Sequence, residues 1–316
     1  MGSLVYFAQR RASQGGGLLD KLDAMAEAIG LSGLAAPGEA VAVLTAFGEP
    51  GNTTHLRPAY AQRLVRRLRL AGTAPFLTAC LPLETGLTRS GVMLLTNAAR
   101  HGFGAGADDA PLVAADGLRG EAERVVPSPG PHLVEARLGA ALVEADALVV
   151  LTHVTGHEVA GLGGALAQLG WGGSSRRGKA TILGAAPAEG GPPPEAARLV
   201  QARLVEAAAA LTRGKPGRVV CVNVLMDLTP ESDEQPWSDA PFIADVGVLV
   251  SRDPVALDQA TADLIAQAPG IPGTRLPHAD APDKLRALYP GLDWEHQLEH
   301  AEALGLGART HELLIM

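Results

Sequence analysis

Several groups of polar residues in this sequence have the types and spacing of an acid/base site. Gly156-His157-Glu158 sets an imidazole beside a carboxyl directly after the apolar run Ala147–Thr152 (ALVVLT). Histidine donates or takes a proton, or ligates a metal, near neutral pH. His157 is therefore the expected general acid or base, with Glu158 or Asp239 to tune it. The bland alternative is a loop His and Glu that only bond their own turn. Glu49, Asn52 and Arg57 follow another apolar run, Ala40–Thr45 (AVAVLT). There Arg57 can clamp a carboxylate or phosphate with two parallel bonds, or simply pair with Glu49. Gly161-Leu162-Gly163-Gly164 can bring backbone N–H groups to an anion at a helix start. The same glycines also suit close helix–sheet packing. The run fits neither a Walker motif nor G-x-G-x-x-G.

Four aspartates, Asp239, Asp245, Asp253 and Asp258, raise the question of a divalent metal. Asp253-Pro254 reads as a helix cap and first turn, and Asp245 as the start of a strand. Asp239 and Asp258 have no such role, and a divalent metal bound there stays open. His296-Gln297-Leu298-Glu299-His300 matches the H-x-x-E-H string of zinc proteases. Its setting, a short polar helix beside Glu295 and Glu302, reads instead as a solvated face.

Short β-branched runs alternate with longer helical ones. The pattern predicts strands over 4–8, 40–45, 75–79, 111–115, 147–152, 218–225, 246–250 and 311–315. It predicts helices over 18–29, 58–70, 92–101, 138–144, 163–169, 196–211 and 293–304, with another opening at Asp253-Pro254. Continuous apolar strands separated by helices imply an α/β fold, with a mainly parallel central sheet and helices on both faces. In such sheets ligands bind beyond the carboxyl ends of the strands. Glu49 to Arg57, His157 with Glu158, Asn223 and Asp239 all follow or end predicted strands. They are therefore expected in one cleft, with Gly163, Gly164 and Asp258 contributing from helix starts.

The chain has 316 residues, which suits one large α/β body or two closely packed lobes. A hydrophobic fraction of 47% supplies a core, but only 3% is aromatic, so that core must be built from Ala, Val and Leu. A net charge of −8 and a pI near 5.6 argue against a nucleic-acid partner, whose domains usually have a pI above ~9. No apolar run is long enough to span a membrane, and the N-terminal stretch lacks the apolar core of a signal peptide. The two cysteines, Cys80 and Cys221, form no C-x-x-C. A reduced, cytoplasmic location is expected, and one chain has too few thiols for a four-cysteine cluster.

Further stretches carry a family resemblance. Phe47-Gly48-Glu49-Pro50-Gly51-Asn52-Thr53-Thr54 precedes Arg57-Pro58. Gly156-His157-Glu158 precedes Gly161-x-Gly163-Gly164-Ala165, Gly170, Ser175 and Gly178-Lys179. Trp237-Ser238-Asp239-Ala240-Pro241 leads to Asp245-x-Gly247 and Asp253-Pro254-Val255-Ala256-Leu257-Asp258-Gln259. Asp293-Trp294 with Gln297-Leu298-x-His300-Ala301-Glu302 closes the chain. Together these resemble domain-of-unknown-function family 362, often described as iron–sulfur centre proteins. Members of that family usually carry two clusters in a ferredoxin-like insert. Here the corresponding stretch, 176–194, has no cysteine and three consecutive prolines, and it is expected to be a surface loop. The resemblance also implies a His where this chain has Ala46, an Asp-containing stretch at Thr78–Leu81, a Lys at Thr155, and a cysteine pair where Ser232-Asp233-Glu234 stands.

The expected function is that of a cluster-free enzyme on a small anionic metabolite, suited to a specialised biosynthetic pathway. Its chemistry would be of the lyase, isomerase or condensation type. The catalytic set is His157, Glu158 and Asp239; the binding set is Glu49, Asn52, Arg57, Gly163, Gly164, Asn223 and Asp258. No nucleic acid or membrane partner is expected, and a homo-oligomer stays open. The competing reading is a non-catalytic binding or partner-assembly module that kept the scaffold after losing its redox parts.

Overall fold

A computed structural model describes residues 2–12, 16–83, 87–104, 110–184 and 193–316. The first half of the chain lays down β1 (Ser3–Gln9), α1 (Leu18–Ala28), β2 (Ala40–Leu44), α2 (Pro58–Leu70), β3 (Ala74–Ala79), α3 (Gly91–Arg100) and β4 (Leu112–Ala114). A hairpin of β5 (Glu123–Pro127) and β6 (Glu135–Gly139) follows, then α4 (Ala140–Glu144) and β7 (Ala147–His153). A small pair, β8 (Thr155–His157) and β9 (Gly161–Gly163), precedes α5 (Ala165–Ala167) and a π turn over Gln168–Gly172. The rest is α6 (Arg176–Leu183), α7 (Pro194–Arg213), β10 (Val219–Leu225), β11 (Gly247–Ser251), α8 (Pro254–Gln267), α9 (Lys284–Leu288), α10 (Glu295–Ala303) and β12 (His311–Ile315).

Eight strands form one sheet in the order β12-β1-β11-β10-β7-β2-β3-β4. All run the same way except β11, which pairs antiparallel with both β1 and β10. The sheet is thus mainly parallel. Its apolar strands alternate between two cores, as a sheet covered on both faces requires. Val41, Val43, Val149, Leu151, Val220 and Val222 face one core, with α1 and α2 against it. Ala42, Leu44, Leu148, Val150 and Cys221 face the other, under α7 and α8. Alanines at 207, 208 and 210 let α7 lie close, which accounts for a core with so few aromatic rings.

Helix starts follow the local chemistry. Pro58 occupies the first turn of α2. Ser90 caps α3, Ser175 caps α6 and Asp253 caps α8. The expectation of a loop over 176–194 needs correction for its first part. Residues 176–183 form α6, because Ser175 accepts the Gly178 N–H and the turns that follow contain no proline. Residues 185–192, the remainder of that expected loop, lie outside the described residues, and α7 begins at Pro194. Among the described residues no helix is long and apolar enough to cross a membrane.

Because β2, β3, β4, β7 and β10 are parallel neighbours, their carboxyl ends open at one edge of the sheet. The connection from β10 to the antiparallel β11, residues 226–246, must begin and end at that same edge. It carries Asp233 and Glu234 over the strand ends.

Candidate functional site

The strand ends enclose an inner chamber of about 80 Å³. It adjoins an outer chamber of about 400 Å³ across a shared wall of Pro82, His157, Trp171, Ser232 and Glu234. Thr45 follows β2 and Thr152 lies near the end of β7; both side chains are buried and line the inner chamber. Neither hydroxyl has a hydrogen-bond partner among the described residues. Glu49, 5% exposed, lines the same space. Thr88 donates its hydroxyl to Glu49 Oε1, while Oε2 has no partner among the described residues. Burial raises the Glu49 carboxyl, against the lowering effect of the Thr88 bond. Among the described residues three buried oxygens in one chamber thus stand without a partner, whereas buried polar atoms are nearly always paired.

His157, in β8, stands between the two chambers. Its Nδ1 accepts the backbone N–H groups of Val159 and Ala160, each at 3.2 Å. That arrangement requires an unprotonated Nδ1 and so places the ring proton on Nε2. Burial lowers the imidazole, in keeping with a neutral ring. His157 is thus a neutral N–H donor, a narrower role than free acid/base exchange.

His153 is held differently. Its Nδ1 lies 2.9 Å from Asp233 Oδ1 and its Nε2 lies 2.7 Å from the Met226 carbonyl. A carbonyl only accepts, and a carboxylate does the same, so both ring nitrogens carry protons. Burial would lower this imidazole, but Asp233 and the Met226 carbonyl more than offset it and hold the ring above its ordinary range. The pair fixes the 226–246 connection against β7. Beside it, Lys179 donates to Glu234 Oε1 at 3.0 Å and to the Leu81 carbonyl at 3.1 Å, and Trp171 donates to Glu234 Oε2 at 2.7 Å. Burial would raise the Glu234 carboxyl; the Lys179 ammonium and these bonds hold it below the usual range. Cys80 also lines the inner chamber, and burial pushes its thiol well up, so it stands there as a neutral thiol and not a nucleophilic thiolate.

The outer chamber is mostly apolar, with Leu83, Val159, Leu183, Val200, Leu204 and Trp237 on its walls. Glu158 lines it, raised by burial, as do Arg275 and Tyr289. Arg275 pairs with Glu231 and lies over the Tyr289 ring.

Of the residues expected in one cleft, the structure brings Glu49, His157, Glu158, Gly163 and Gly164 to these chambers. The others do other work. Asn52 is buried and braces its own loop, donating to the Gln235 carbonyl and accepting from the Thr54 N–H. Arg57 is exposed and pairs with Asp227 at 2.5 Å, away from the chamber walls. Asp239 is exposed, and its backbone N–H donates to Glu231 Oε2. Asp258 is fully buried and accepts the N–H groups of Ala165 and Leu166 at 2.8 and 2.9 Å. It therefore occupies the helix start where an anion from solution was expected. Asn223 donates to Asp258 Oδ1 and lies beneath the same turn. Gly164 is needed there because a Cβ would collide with the Asp258 carboxyl.

The four aspartates do not gather around a metal. Asp253 bonds Ser3, Ala308 and the α8 start, and Asp245 pairs with Arg10. The residues present do not fit an iron–sulfur cluster either. A cluster takes four thiolates or a near equivalent, whereas Cys80 follows β3, Cys221 sits in the middle of β10, and both thiols are pushed up by burial. Reasoning from sequence missed Thr45, Thr152, Lys179, Trp171, Asp233 and Glu234 as parts of the site. Position at a strand end was the available signal for the two threonines.

The model of the family described as Domain of unknown function (DUF362) matches residues 41–263. Among solved structures the chain is similar to the lactate racemase apoprotein from Thermoanaerobacterium thermosaccharolyticum, with 13% identity and a TM-score of 0.45. That alignment covers 71% of this chain and 51% of the other, so this chain spans about half the length of its neighbour. No curated protein matches the sequence.

Proposed function

This chain belongs to the DUF362 family, and we propose that it is an acid/base enzyme on an amphipathic metabolite whose carboxylate or enolisable carbonyl enters the inner chamber. The observation that carries this reading is the trio of buried oxygens without a partner among the described residues, Thr45 Oγ1, Glu49 Oε2 and Thr152 Oγ1. The two threonine hydroxyls and His157 Nε2–H can donate hydrogen bonds to a ligand oxygen that gathers negative charge, with Glu49 Oε2 beside them to take or return a proton. Glu49, whose carboxyl is raised by burial, is the group suited to exchange a proton with the substrate carbon or oxygen. His157 donates from Nε2 and stays neutral. The Lys179–Glu234 and His153–Asp233 pairs hold the walls in place. An 80 Å³ chamber accepts only a small polar head, and the apolar 400 Å³ chamber beside it receives the rest of the molecule.

The test is a melting-shift screen of carboxylic and keto acids with graded apolar tails. For the class that binds, exchange of substrate protons with deuterated solvent is then followed by NMR. Glu49→Gln should keep the melting shift and lose exchange by about 100-fold or more. Thr45→Val with Thr152→Val should lose the shift itself. Binding without exchange in the native chain would favour the non-catalytic module. Binding indifferent to Thr45, Thr152 and Glu49 would remove the inner chamber from the function.

A further inference from the structure

Away from the cleft, two imidazoles converge on one carboxylate. His132 lies between β5 and β6, Glu206 in α7 and His300 in the last turn of α10. Glu206 Oε1 is 3.1 Å from His132 Nδ1 and 3.1 Å from His300 Nε2. The three atoms lie within 4.8 Å of one another, and the two rings meet edge to face with centroids 5.4 Å apart. Among the described residues no other three His, Cys, Asp or Glu side chains approach this way.

The Glu206 carboxyl is 0% exposed, and its ion-pair partners among the described residues are these two imidazoles alone. A buried carboxylate without a fixed cation is costly. A dication held between the three atoms balances its charge through direct bonds to all three. Two imidazole nitrogens and one carboxylate oxygen are a known donor set for Zn²⁺, and bonds of ~2.0–2.1 Å place tetrahedral ligands roughly 3.3 Å apart. The outer support is also in place. Glu206 Oε2 accepts the backbone N–H groups of Leu133 at 2.6 Å and His132 at 3.0 Å, which orient the carboxylate. The H-x-x-E-H string is not itself a zinc site, because Glu299 turns to Arg309. His300 instead finds its partners on α7 and the β5–β6 connection.

We propose that His132, Glu206 and His300 bind one divalent transition cation of the zinc class, which clamps the β5–β6 connection to α7 and α10. The experiment titrates ZnCl₂ into the metal-stripped full-length chain by calorimetry, with a melting curve at each ratio. One Zn²⁺ per chain and a rise of several degrees in Tm are expected. His300→Ala and His132→Ala should each weaken binding by at least about tenfold. Both leave the Glu206 backbone bonds intact, so each variant retains its fold. Replacing the exposed His278 with Ala should change nothing. Co²⁺ in the native chain should show visible bands of a low-coordinate nitrogen/oxygen site. The proposal is overturned if Zn²⁺ does not bind stoichiometrically, or if it binds equally well to His300→Ala and His132→Ala. The cluster would then be a hydrogen-bonded anchor only.

Discussion

The Asp258 carboxyl is shut away from water yet ionises, and burial pushes its pKa from 3.8 up to about 6 against three hydrogen bonds that favour the anion. Between those two values the folded chain keeps a proton that the unfolded chain has released. Its contribution to stability is therefore complete below about pH 3.8 and is lost as pH rises through about 6. Asp258→Asn removes this dependence and leaves one N–H of the α5 start facing an amide. Its deficit in urea unfolding should be about 1 kcal/mol larger at pH 5 than at pH 7; equal deficits would show that Asp258 titrates normally. The His153–Asp233 pair has the opposite charge on its titrating ring. An imidazole held above its ordinary 6.5 stabilises fully below that pH, and the effect is lost as pH rises through its folded value. Asp233→Asn strands the buried ring and should cost about 3–5 kcal/mol at pH 6, read as a shifted urea midpoint. Such pairings explain what the sequence concealed at this scale. His157 and Glu49 follow strands and so could be placed at the cleft. No spacing reveals that Asp258 turns inward to a helix start, or that Lys179 pairs with Glu234, because those partners lie 93 and 55 residues apart in sequence.

Most of the elements were legible because their signals are local. The runs AVAVLT and ALVVLT became β2 and β7, and Pro58 and Asp253-Pro254 opened α2 and α8 as expected. The β5–β6 hairpin, the β8–β9 pair, α6 and the short α9 were not read. β5 is largely solvent-facing and shows no apolar run. β8 and β9 are three residues each and rich in glycine, so their pairing rests on the surrounding packing. The glycines after β9 reflect a packing demand: at Gly170 a Cβ would strike the Leu204 carbonyl of α7. Gly170→Ala must push the π turn off α7 and should destabilise by about 1–3 kcal/mol. Because Trp171 is the next residue, the variant should also disturb the Trp171–Glu234 bond, visible as a change in tryptophan fluorescence. An unchanged unfolding midpoint would mean that α7 yields at no cost.

Across the whole molecule, the parallel strands decide where chemistry can sit, and their order decides which loops meet there. β2, β7 and β10 are adjacent at the centre of the sheet, so the loops after them form the chamber walls. The single antiparallel strand, β11, sends the long 226–246 connection back across those walls and supplies Asp233 and Glu234. The helices on either side of residues 185–192 are anchored independently of that stretch. Gly184 ends α6 and Pro193 precedes α7, and each helix packs through its own contacts, with Ile182 and Val200 in the same core. Shortening a connection between two anchored helices changes closure entropy only slowly with length, at about 0.6 kcal/mol per doubling. Replacing residues 185–192 with four Gly/Ser residues should therefore leave Tm within a few degrees of the native value and preserve ligand-induced melting shifts. A large fall in Tm, with loss of the native circular dichroism spectrum, would show that this stretch is part of the folded core.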